Sequence, residues 1–259
     1  MALQVLALEA RLRACRNVRT IGVRPNFTDY NPEEVALIRR AEKIYYPTAF
    51  YADLFDAMGK VTFPSYHTYK CVQDKIKQSA LFQLVGLPHP KTRVFYGKRQ
   101  QLKIKRHFQY PFIAKEPRGS AMGRGVFLIE NDADLEHYTQ GRHVCYIQQY
   151  LTIDRDIRAV VIGSQVAHAY WRIAKKGEFR TNVARGGRIS LEPIPKTAMA
   201  LAIHAAKTCG WDDVGLDICY FDGQYMILEA NMKYGREGFR AAGIDYYAMM
   251  ERMIDEGYI

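Results

Sequence analysis

Three oxygen-bearing side chains within 215–231 have types and spacing that suit metal binding. Glu229 and Asn231 are two residues apart, so they point to the same face of an extended strand. Asp217 precedes them by one predicted strand and a turn. Two carboxylates and an amide offer the hard oxygen ligands that Mg²⁺ prefers, with room for water and phosphate oxygens. The alternative is a solvated hairpin face, because polar residues on one face of a hairpin are ordinary.

A β-hairpin must bring these side chains together. The stretch predicts two strands around an Asp-Gly turn, which is a strong hairpin signal. If Phe221 pairs with Tyr225 across an odd-length loop, Asp217 lies opposite Glu229. With a two-residue loop, Asp217 would share a face with Leu228, and the metal site would not form.

A second set of residues suits phosphate binding. A predicted strand ends on Lys115, and the loop 119–125 that follows contains Gly119, Gly123 and Gly125. Glycines let backbone N–H groups approach an anion closely. The loop is neither a P-loop nor a Rossmann turn, because no Gly-Lys-Ser/Thr follows and a strand comes where a helix would be needed. Taken alone it predicts a plain hairpin turn, whereas next to a lysine it suggests a flexible lid over phosphates.

Composition bounds the class of protein. The 259 residues are 48% hydrophobic, which allows a sizeable core and gives no sign of disorder. No apolar run approaches the roughly 20 residues of a membrane span, and no signal-peptide pattern opens the chain. Five cysteines are an odd count without metal-ligand spacing, which predicts a reduced, cytoplasmic protein.

The formal net charge of +10 predicts an anionic partner, such as a nucleotide, an acidic substrate or nucleic acid. The basic residues look scattered along the chain, apart from a cluster at 98–107. We expect this cluster to be a solvated surface, with a nucleic-acid patch as the alternative. Nucleic acid is disfavoured because the tyrosines do not interleave with Lys and Arg as stacking platforms would.

Hydrophobic pattern and turn residues divide the chain into three lobes. Residues 1–66 predict a small, abbreviated βαβ-like lobe that begins with a short helix at 2–16. Residues 67–147 predict a second lobe that opens with one helix at 67–86. Residues 148–259 predict a third lobe that carries the hairpin. Strands dominate the second and third lobes with helices on either side, which predicts an α+β fold with antiparallel sheets.

Six motifs in order along about 67–240 resemble the ATP-grasp superfamily and, within it, the RimK-like carboxylate–amine ligases. Each motif alone is weak, and their order carries the resemblance. They are Asp74-Lys75 with the helix and Gly86-Leu-Pro88 after it, the strand 112–115 with the loop 119–125, the Tyr-Ile-Gln-Gln-Tyr-Leu run at 146–151, Asp156-Ile-Arg158, Glu178-Phe-Arg180-Thr-Asn182 with Arg185-Gly-Gly, and Asp217 with Glu229-Ala-Asn231.

The resemblance implies an ATP-grasp fold, in which two α+β lobes with antiparallel sheets grip the nucleotide, and it implies the residues of the site. The residues expected to bind ATP are Lys75, Lys115, Gly119, Ser120, Gly123, Gly125, Gln148, Gln149, Tyr150, Leu151 and Asp156. Asp217, Glu229 and Asn231 would hold magnesium, with two ions expected and Mn²⁺ as a substitute. Arg172 and Arg180 would lie at the γ-phosphate and the acyl phosphate, with Asn182 beside them.

The implied activity is ATP- and Mg²⁺-dependent ligation of a carboxylate to an amine. The carboxylate attacks the γ-phosphate to give an acyl phosphate and ADP, and the amine then expels phosphate. Substrates would be small molecules or peptides, with an amino acid such as glutamate as one partner. Arg180, Arg185 and Arg188 lie close together in the sequence, which predicts that a substrate carries an additional negative charge. A homo-oligomer is left open.

The sequence departs from the family pattern in the nucleotide segment and after the expected metal ligands. Gln148 and Gln149 stand where many members carry an acidic residue, and 232–234 replaces small and proline residues. The short first lobe and the altered 232–234 favour a second hypothesis, a nucleotide-binding ATP-grasp-like module without ligase activity. A basic RNA-binding protein is the third hypothesis, and a salt-dependent gel shift would test it.

Overall fold

The computed structural model describes residues 4–119, 125–178, 180–181 and 186–259. Three β-sheets occupy successive stretches of the chain, and helices pack around them. The predicted α+β class is confirmed, with a parallel sheet first and two antiparallel sheets after it. Within the described ranges, no helix is long and apolar enough to cross a membrane.

The first sheet is parallel and has the order β2-β1-β3-β4. Its strands are β1 (Val5–Ala7), β2 (Val18–Thr20), β3 (Lys43–Tyr45) and β4 (Val61–Phe63), and its helices are α1 (Pro32–Arg40) and α2 (Thr48–Ala57). The predicted helix at 2–16 is wrong, because β1 is a central strand of this sheet. A parallel strand buried on both faces reads as a continuous apolar run, which resembles a short helix in sequence.

The second sheet is antiparallel and has the order β5-β8-β6-β7. Its strands are β5 (Thr92–Tyr96), β6 (Phe112–Lys115), β7 (Val126–Ile129) and β8 (Val144–Gln149). The helices of this part of the chain are α3 (Tyr66–Val72), α4 (Lys75–Val85), α5 (Gly97–Gln101), α6 (Ile104–His107) and α7 (Asp132–Thr139). Because β6 is an inner strand, it carries its last residue, Lys115, into the interior.

The predicted single helix at 67–86 is two helices, α3 and α4. The break comes at Asp74, whose carboxylate accepts hydrogen bonds from the backbone N–H groups of Ile76 at 2.9 Å and Lys77 at 3.3 Å. An aspartate in this position caps a new helix and satisfies its first N–H groups. Lys75 therefore becomes the first residue of α4 rather than a residue in the middle of a longer helix.

The third sheet is antiparallel and has the order β11-β10-β9-β12-β13. Its strands are β9 (Arg155–Ile162), β10 (Gln165–Ile173), β11 (Arg188–Ser190), β12 (Asp213–Phe221) and β13 (Gln224–Asn231). The remaining helices are α8 (Lys196–Cys209), α9 (Glu237–Ala241) and α10 (Tyr246–Asp255).

The two faces of the third sheet are buried differently. One face packs on α8, where Ile157, Leu216 and Ile227 share a core with helix alanines such as Ala202. Part of the other face, including Val160, shares a second core with the first sheet and α10. The remainder of that face carries charged side chains and borders a cleft towards the second sheet. The lobe boundaries expected after residues 66 and 147 stay predictions.

Candidate active site

The hairpin of β12 and β13 brings two carboxylates face to face. Phe221 closes a two-residue turn, so the predicted odd-length loop with Phe221 opposite Tyr225 is wrong. The register then shifts at a β-bulge that leaves Leu228 unpaired, and Asp217 pairs with Glu229. A bulge places two residues opposite one. The unpaired Leu228 therefore offsets the residue missing from the turn and restores the pairing of Asp217 with Glu229. The predicted pairing of Asp217 with Glu229 is confirmed.

Buried arginines hold the Asp217 carboxylate. Arg158 lies directly beside it on β9 and donates from Nε and Nη2, the latter at 3.2 Å. Arg172 Nη2 lies 2.9 Å from Asp217 Oδ2. Burial alone would raise the pKa of Asp217, but the two guanidinium groups outweigh it and hold the pKa below its ordinary value. Asp217 is therefore ionised at neutral pH.

Arg172 links this carboxylate to a second one. Its Nε and Nη2 donate to the two oxygens of Asp156 at 2.7 and 2.6 Å, and the Thr181 hydroxyl donates to the same carboxylate at 2.6 Å. Asp156 is only 2% exposed. The sequence suggested that Arg172 lies at the γ-phosphate and that Asp156 faces the nucleotide ribose or the metal side, and the structure places the two in contact with each other. Arg172 thus fixes both carboxylates on one side of the third sheet.

Two lysines from α4 and β6 approach the same carboxylates. Lys75 Nζ lies 3.3 Å from Glu229 Oε1. The Lys115 ammonium is buried, and burial lowers its pKa; Glu229 opposes that shift, whereas Lys75 adds to it. The two lysines and the two paired carboxylates therefore meet between the second and third sheets. A buried ammonium with a depressed pKa is a feature of functional sites.

A cleft lies beside these charges, between α4, the second sheet and β13. Its walls combine apolar rings and chains with hydrogen-bonding groups. They are formed by Lys75, Gln78, Ser79, Phe82, His89, Thr92, Lys115, Tyr146, Gln148, Ile227, Leu228 and Glu229. We call this space the inter-sheet cleft.

The three predicted metal ligands offer an oxygen set that fits magnesium. Asp217 accepts two hydrogen bonds from Arg158 and forms an ion pair with Arg172, and a carboxylate has about four acceptor positions. Glu229 is contacted at one oxygen by Lys75. Asn231 ends β13 on the same face. Among the described residues, no cluster of three or more His, Cys, Asp or Glu could hold a metal, and the Asn231 amide is the third oxygen ligand that the sequence predicts.

The predicted ATP-binding run 146–151 lines the inter-sheet cleft through Tyr146 and Gln148. Gln148 is buried and donates from Nε2 to Thr92 Oγ1 at 3.0 Å, whereas Gln149 is exposed. Leu151 is buried, and Tyr150 is half-buried. The alternation of β8 thus places Tyr146 and Gln148 on the face towards the cleft.

Several predicted residues lie at or beyond the limits of the described chain. Gly119 and Gly125 bound the expected lid, and both have the positive φ that favours glycine, +70° and +69°. Ser120, Gly123 and Asn182 lie outside the described residues, as does Arg185. Arg180 is described and contacts Glu178, with Nη2 2.8 Å from Oε2.

The sequence did not predict the part played by Gln78. Its side-chain amide donates to the Ala230 carbonyl at 2.9 Å and accepts from the Ala230 N–H at 2.9 Å. It therefore pairs with the outer edge of β13 between Glu229 and Asn231. Gln78 lies one helical turn after Lys75, and that spacing was the available signal. These two hydrogen bonds fix the distance between α4 and the carboxylates of Asp217 and Glu229.

A family profile for the RimK-like ATP-grasp domain matches residues 72–254. The chain belongs to the RimK-like ATP-grasp family. The match covers α4, both antiparallel sheets and the paired carboxylates. Ligases of the ATP-grasp type generally use ATP and Mg²⁺, which agrees with an oxygen-rich site facing two lysines.

Curated relatives in this RimK-like family are named as glutamate ligases. A probable alpha-L-glutamate ligase of Haemophilus influenzae is 31% identical over 202 residues, which cover 75% of this chain and 66% of the relative. A ribosomal protein bS6–L-glutamate ligase of Escherichia fergusonii is 30% identical over 192 residues, which cover 71% and 63%. The chain thus spans about two thirds of the length of these relatives.

Solved structures confirm the ATP-grasp fold. A RimK-domain ATP-grasp protein of Sphaerobacter thermophilus superposes with a TM-score of 0.72 at 18% identity, covering 96% of this chain and 98% of that one. The D-alanine–D-alanine ligase of Bacillus anthracis in complex with ATP gives 0.71 at 11% identity, covering 98% and 97%. At these identities the likeness concerns the fold alone.

Proposed function

We propose that this protein is an ATP- and Mg²⁺-dependent carboxylate–amine ligase that forms a peptide-like amide through an acyl phosphate. The observation that carries the proposal is the convergence of Lys75 and Lys115 on Asp217 and Glu229. Two cations supplied by α4 and β6 face two anions supplied by the hairpin. Phosphoryl transfer needs this kind of positioning and charge neutralisation more than it needs covalent help from the protein.

In the first step, an oxygen of the substrate carboxylate bonds to the γ-phosphorus of ATP, and the bond to the β–γ bridging oxygen breaks to release ADP. Lys75 and Lys115 bind the phosphates. ATP adds negative charge beside the buried Lys115 ammonium, so nucleotide binding raises its lowered pKa. The loop 119–125, of which residues 120–124 lie outside the described residues, is proposed to protect the acyl phosphate from water.

In the second step, the amine nitrogen attacks the acyl carbon, phosphate leaves with the electrons of the C–O bond, and the nitrogen loses a proton. We assign Arg172, Arg180 and Asn182 to the charge that develops on the acyl phosphate. A guanidinium fork suits two oxygens of one group. Arg172 already binds Asp156 through one edge of its guanidinium group. The other edge would contact the acyl phosphate while Asp156 keeps the side chain in place.

Magnesium would be held by Asp217, Glu229 and Asn231, and it would neutralise phosphate oxygens during transfer. We propose two ions, with Mn²⁺ able to replace Mg²⁺ because both accept carboxylate and amide oxygens. Asp217 is fixed by Arg158 and Arg172 before any ion binds, so the chain itself sets the position of this ligand.

The amine substrate is proposed to be glutamate, and the acid a carboxylate of a peptide or protein. The support is the naming of two relatives as glutamate ligases, one of them acting on ribosomal protein bS6. The arginines around 180–188 suit a substrate with an additional carboxylate. The five free thiols suit the reducing, ATP-rich cytoplasm that we propose as its location.

The test supplies ATP, Mg²⁺, glutamate and a short peptide ending in glutamate, and measures both ADP release and peptide mass. We expect the peptide to gain one or more glutamyl residues, with one ADP formed for each. A nucleotide-binding module without ligase activity would bind ATP but give neither product. Trials with other amino acids in place of glutamate separate a wrong substrate from a wrong reaction.

A further inference from the structure

The net charge of this protein is concentrated in one segment. The chain has 37 Lys and Arg against 27 Asp and Glu, a formal net charge of +10. Residues 75–115 contain ten of the basic residues and none of the acidic ones, so the rest of the chain is formally neutral. The basic residues were expected to be scattered along the chain, but the excess of positive charge lies within residues 75–115.

The exposed part of this charge lies around β5, α5 and α6. Six of the side chains are exposed and form no ion pair with any described residue. They are Lys91, Arg93, Lys98, Arg99, Lys103 and Arg106. We call them the basic face. Their neighbour Lys105 differs, because Asp132 neutralises it at 2.8 Å.

Four members of the basic face lie around His107. Lys91 Nζ donates to the His107 carbonyl at 2.6 Å, which ties the start of β5 to the end of α6. Burial lowers the pKa of the His107 imidazole, and Arg93, Lys91, Lys103 and Arg106 lower it further. Like charges from a strand and a helix thus converge around one ring, and no described acid offsets them.

We infer that the basic face is a docking surface for a glutamate- or aspartate-rich segment of a polypeptide substrate. The inference deepens the proposed function, on which it rests, because it identifies where the polypeptide substrate docks and which residues of that substrate are recognised. Lys91 is adjacent to Thr92, which lines the inter-sheet cleft. A chain bound on the basic face is therefore held next to the lobe that binds the nucleotide.

Three features favour a polypeptide over a nucleic acid. The rings of Phe95 and Phe108 are buried beneath Arg93 and Lys91, with cation-to-centroid distances of 5.4 and 5.1 Å, so they are not available to stack on bases. Leu102 is 84% exposed among the cations, where an apolar peptide side chain can pack. In addition, β5 is an edge strand, which can accept an extended peptide.

Binding is tested by fluorescence anisotropy with a labelled glutamate-rich peptide and the same peptide carrying glutamine in place of glutamate. The variant is Lys98→Gln/Arg99→Gln/Lys103→Gln/Arg106→Gln. The control, Arg13→Gln/Arg40→Gln/Lys207→Gln/Arg252→Gln, removes the same charge from exposed positions elsewhere. We expect the variant to bind the glutamate peptide at least about tenfold more weakly and the control to change affinity less than about twofold.

Three results would overturn the inference. The variant and the control could lose the same affinity for the glutamate peptide, or the wild-type protein could bind the two peptides equally. Alternatively, a single-stranded RNA could bind the wild-type protein more tightly than the glutamate peptide does and fail to bind the variant. The last would make the face a nucleic-acid site. ADP release with a short non-acidic peptide bearing one terminal carboxylate is measured in parallel. If that activity is present in all three proteins while peptide docking fails, the ligase proposal stands and the docking surface does not. Unchanged melting temperatures exclude misfolding.

Discussion

At the scale of one residue, Lys115 has opposite effects on the stability of the ligand-free fold and on the proposed binding of nucleotide. Its ammonium is buried and its pKa is lowered by that burial, so it weakens the ligand-free fold. We predict that Lys115→Met reduces ATP affinity at least about tenfold, the effect of losing one charged phosphate contact. The melting temperature should stay the same or rise. Calorimetry and thermal unfolding measure both, and Lys77→Met, at an exposed position on α4, should change neither.

Replacing Asp217 should destabilise the fold more than replacing Glu229, although we propose that both carboxylates serve the same site. Asp217→Asn leaves Arg158 and Arg172 without their shared anion, which should destabilise the fold by about 3 kcal/mol or more. Glu229 is contacted by Lys75 and its side chain is 20% exposed, so Glu229→Gln should cost about 1 kcal/mol. Both variants should lose about a hundredfold or more in turnover.

Denaturant unfolding and steady-state assays check that difference. Equal destabilisation by the two substitutions would contradict the account. The depressed pKa of Asp217 also gives a pH dependence. Its contribution to stability is fully present above the unfolded-state pKa of about 3.9 and is lost as pH falls towards the lower folded-state pKa. Wild type and Asp217→Asn should therefore converge in stability in acid.

At the scale of elements, the packing of β12 against the turn after β13 is unusually close. Gly215 pairs with Asn231, and a Cβ added at Gly215 would lie 2.4 Å from Tyr234 Cβ and 3.1 Å from Arg158 Cδ. We predict that Gly215→Ala destabilises the protein by about 1 to 3 kcal/mol and displaces Arg158 from Asp217. Reduced magnesium affinity, measured as the Mg²⁺ dependence of turnover, would show that displacement. Gly141→Ala, in open space, should leave the Mg²⁺ dependence unchanged.

The elements also show what sequence could predict and why. The hairpin and its Asp-Gly turn were predictable from residue type and spacing, whereas the opposition of Asp217 and Glu229 was predicted from a loop length that is wrong. The bulge at Leu228 was not predictable, because an extra leucine in an apolar strand has no signature of its own. The start of α4 was readable in principle, since Asp74 is a good N-cap, but the apolar pattern continued across it. The contacts of Arg158 and Arg172 with Asp217 could not be predicted, because they depend on β9, β10 and β12 lying side by side in the sheet.

At the scale of the whole molecule, a buried polar network joins the first lobe to the third sheet. Asp213 is fully buried and accepts from Tyr234 at 2.7 Å and Tyr46 at 3.0 Å, and Arg11 lies 3.7 Å away. Arg11 also donates to the Met232 carbonyl at 3.0 Å, directly after Asn231. The short first lobe is thus bonded to the segment that follows the proposed metal ligands.

We predict a pH-dependent loss of stability in Arg11→Met. Burial raises the pKa of Asp213, and Arg11 opposes that rise. Without Arg11 the folded-state pKa climbs further, so stability falls as pH increases above about 3.9 and levels off beyond the folded-state pKa. The deficit relative to wild type should be smallest near pH 4 and reach about 3 kcal/mol near pH 7. Arg11→Lys keeps the charge and should recover the pH-dependent part, whereas a deficit that is constant with pH would contradict the assignment.

The transfer of oxygen during turnover tests the central claim most directly. The peptide acceptor is prepared with ¹⁸O in its carboxylate and incubated with ATP, Mg²⁺ and glutamate, and the released phosphate is analysed by mass spectrometry. If ligation proceeds through an acyl phosphate in the inter-sheet cleft, each amide formed delivers one ¹⁸O atom from the acceptor to phosphate. Lys115→Met and Glu229→Gln should lose labelled phosphate and amide together. Amide formation with unlabelled phosphate, or phosphate release without amide, would contradict the account.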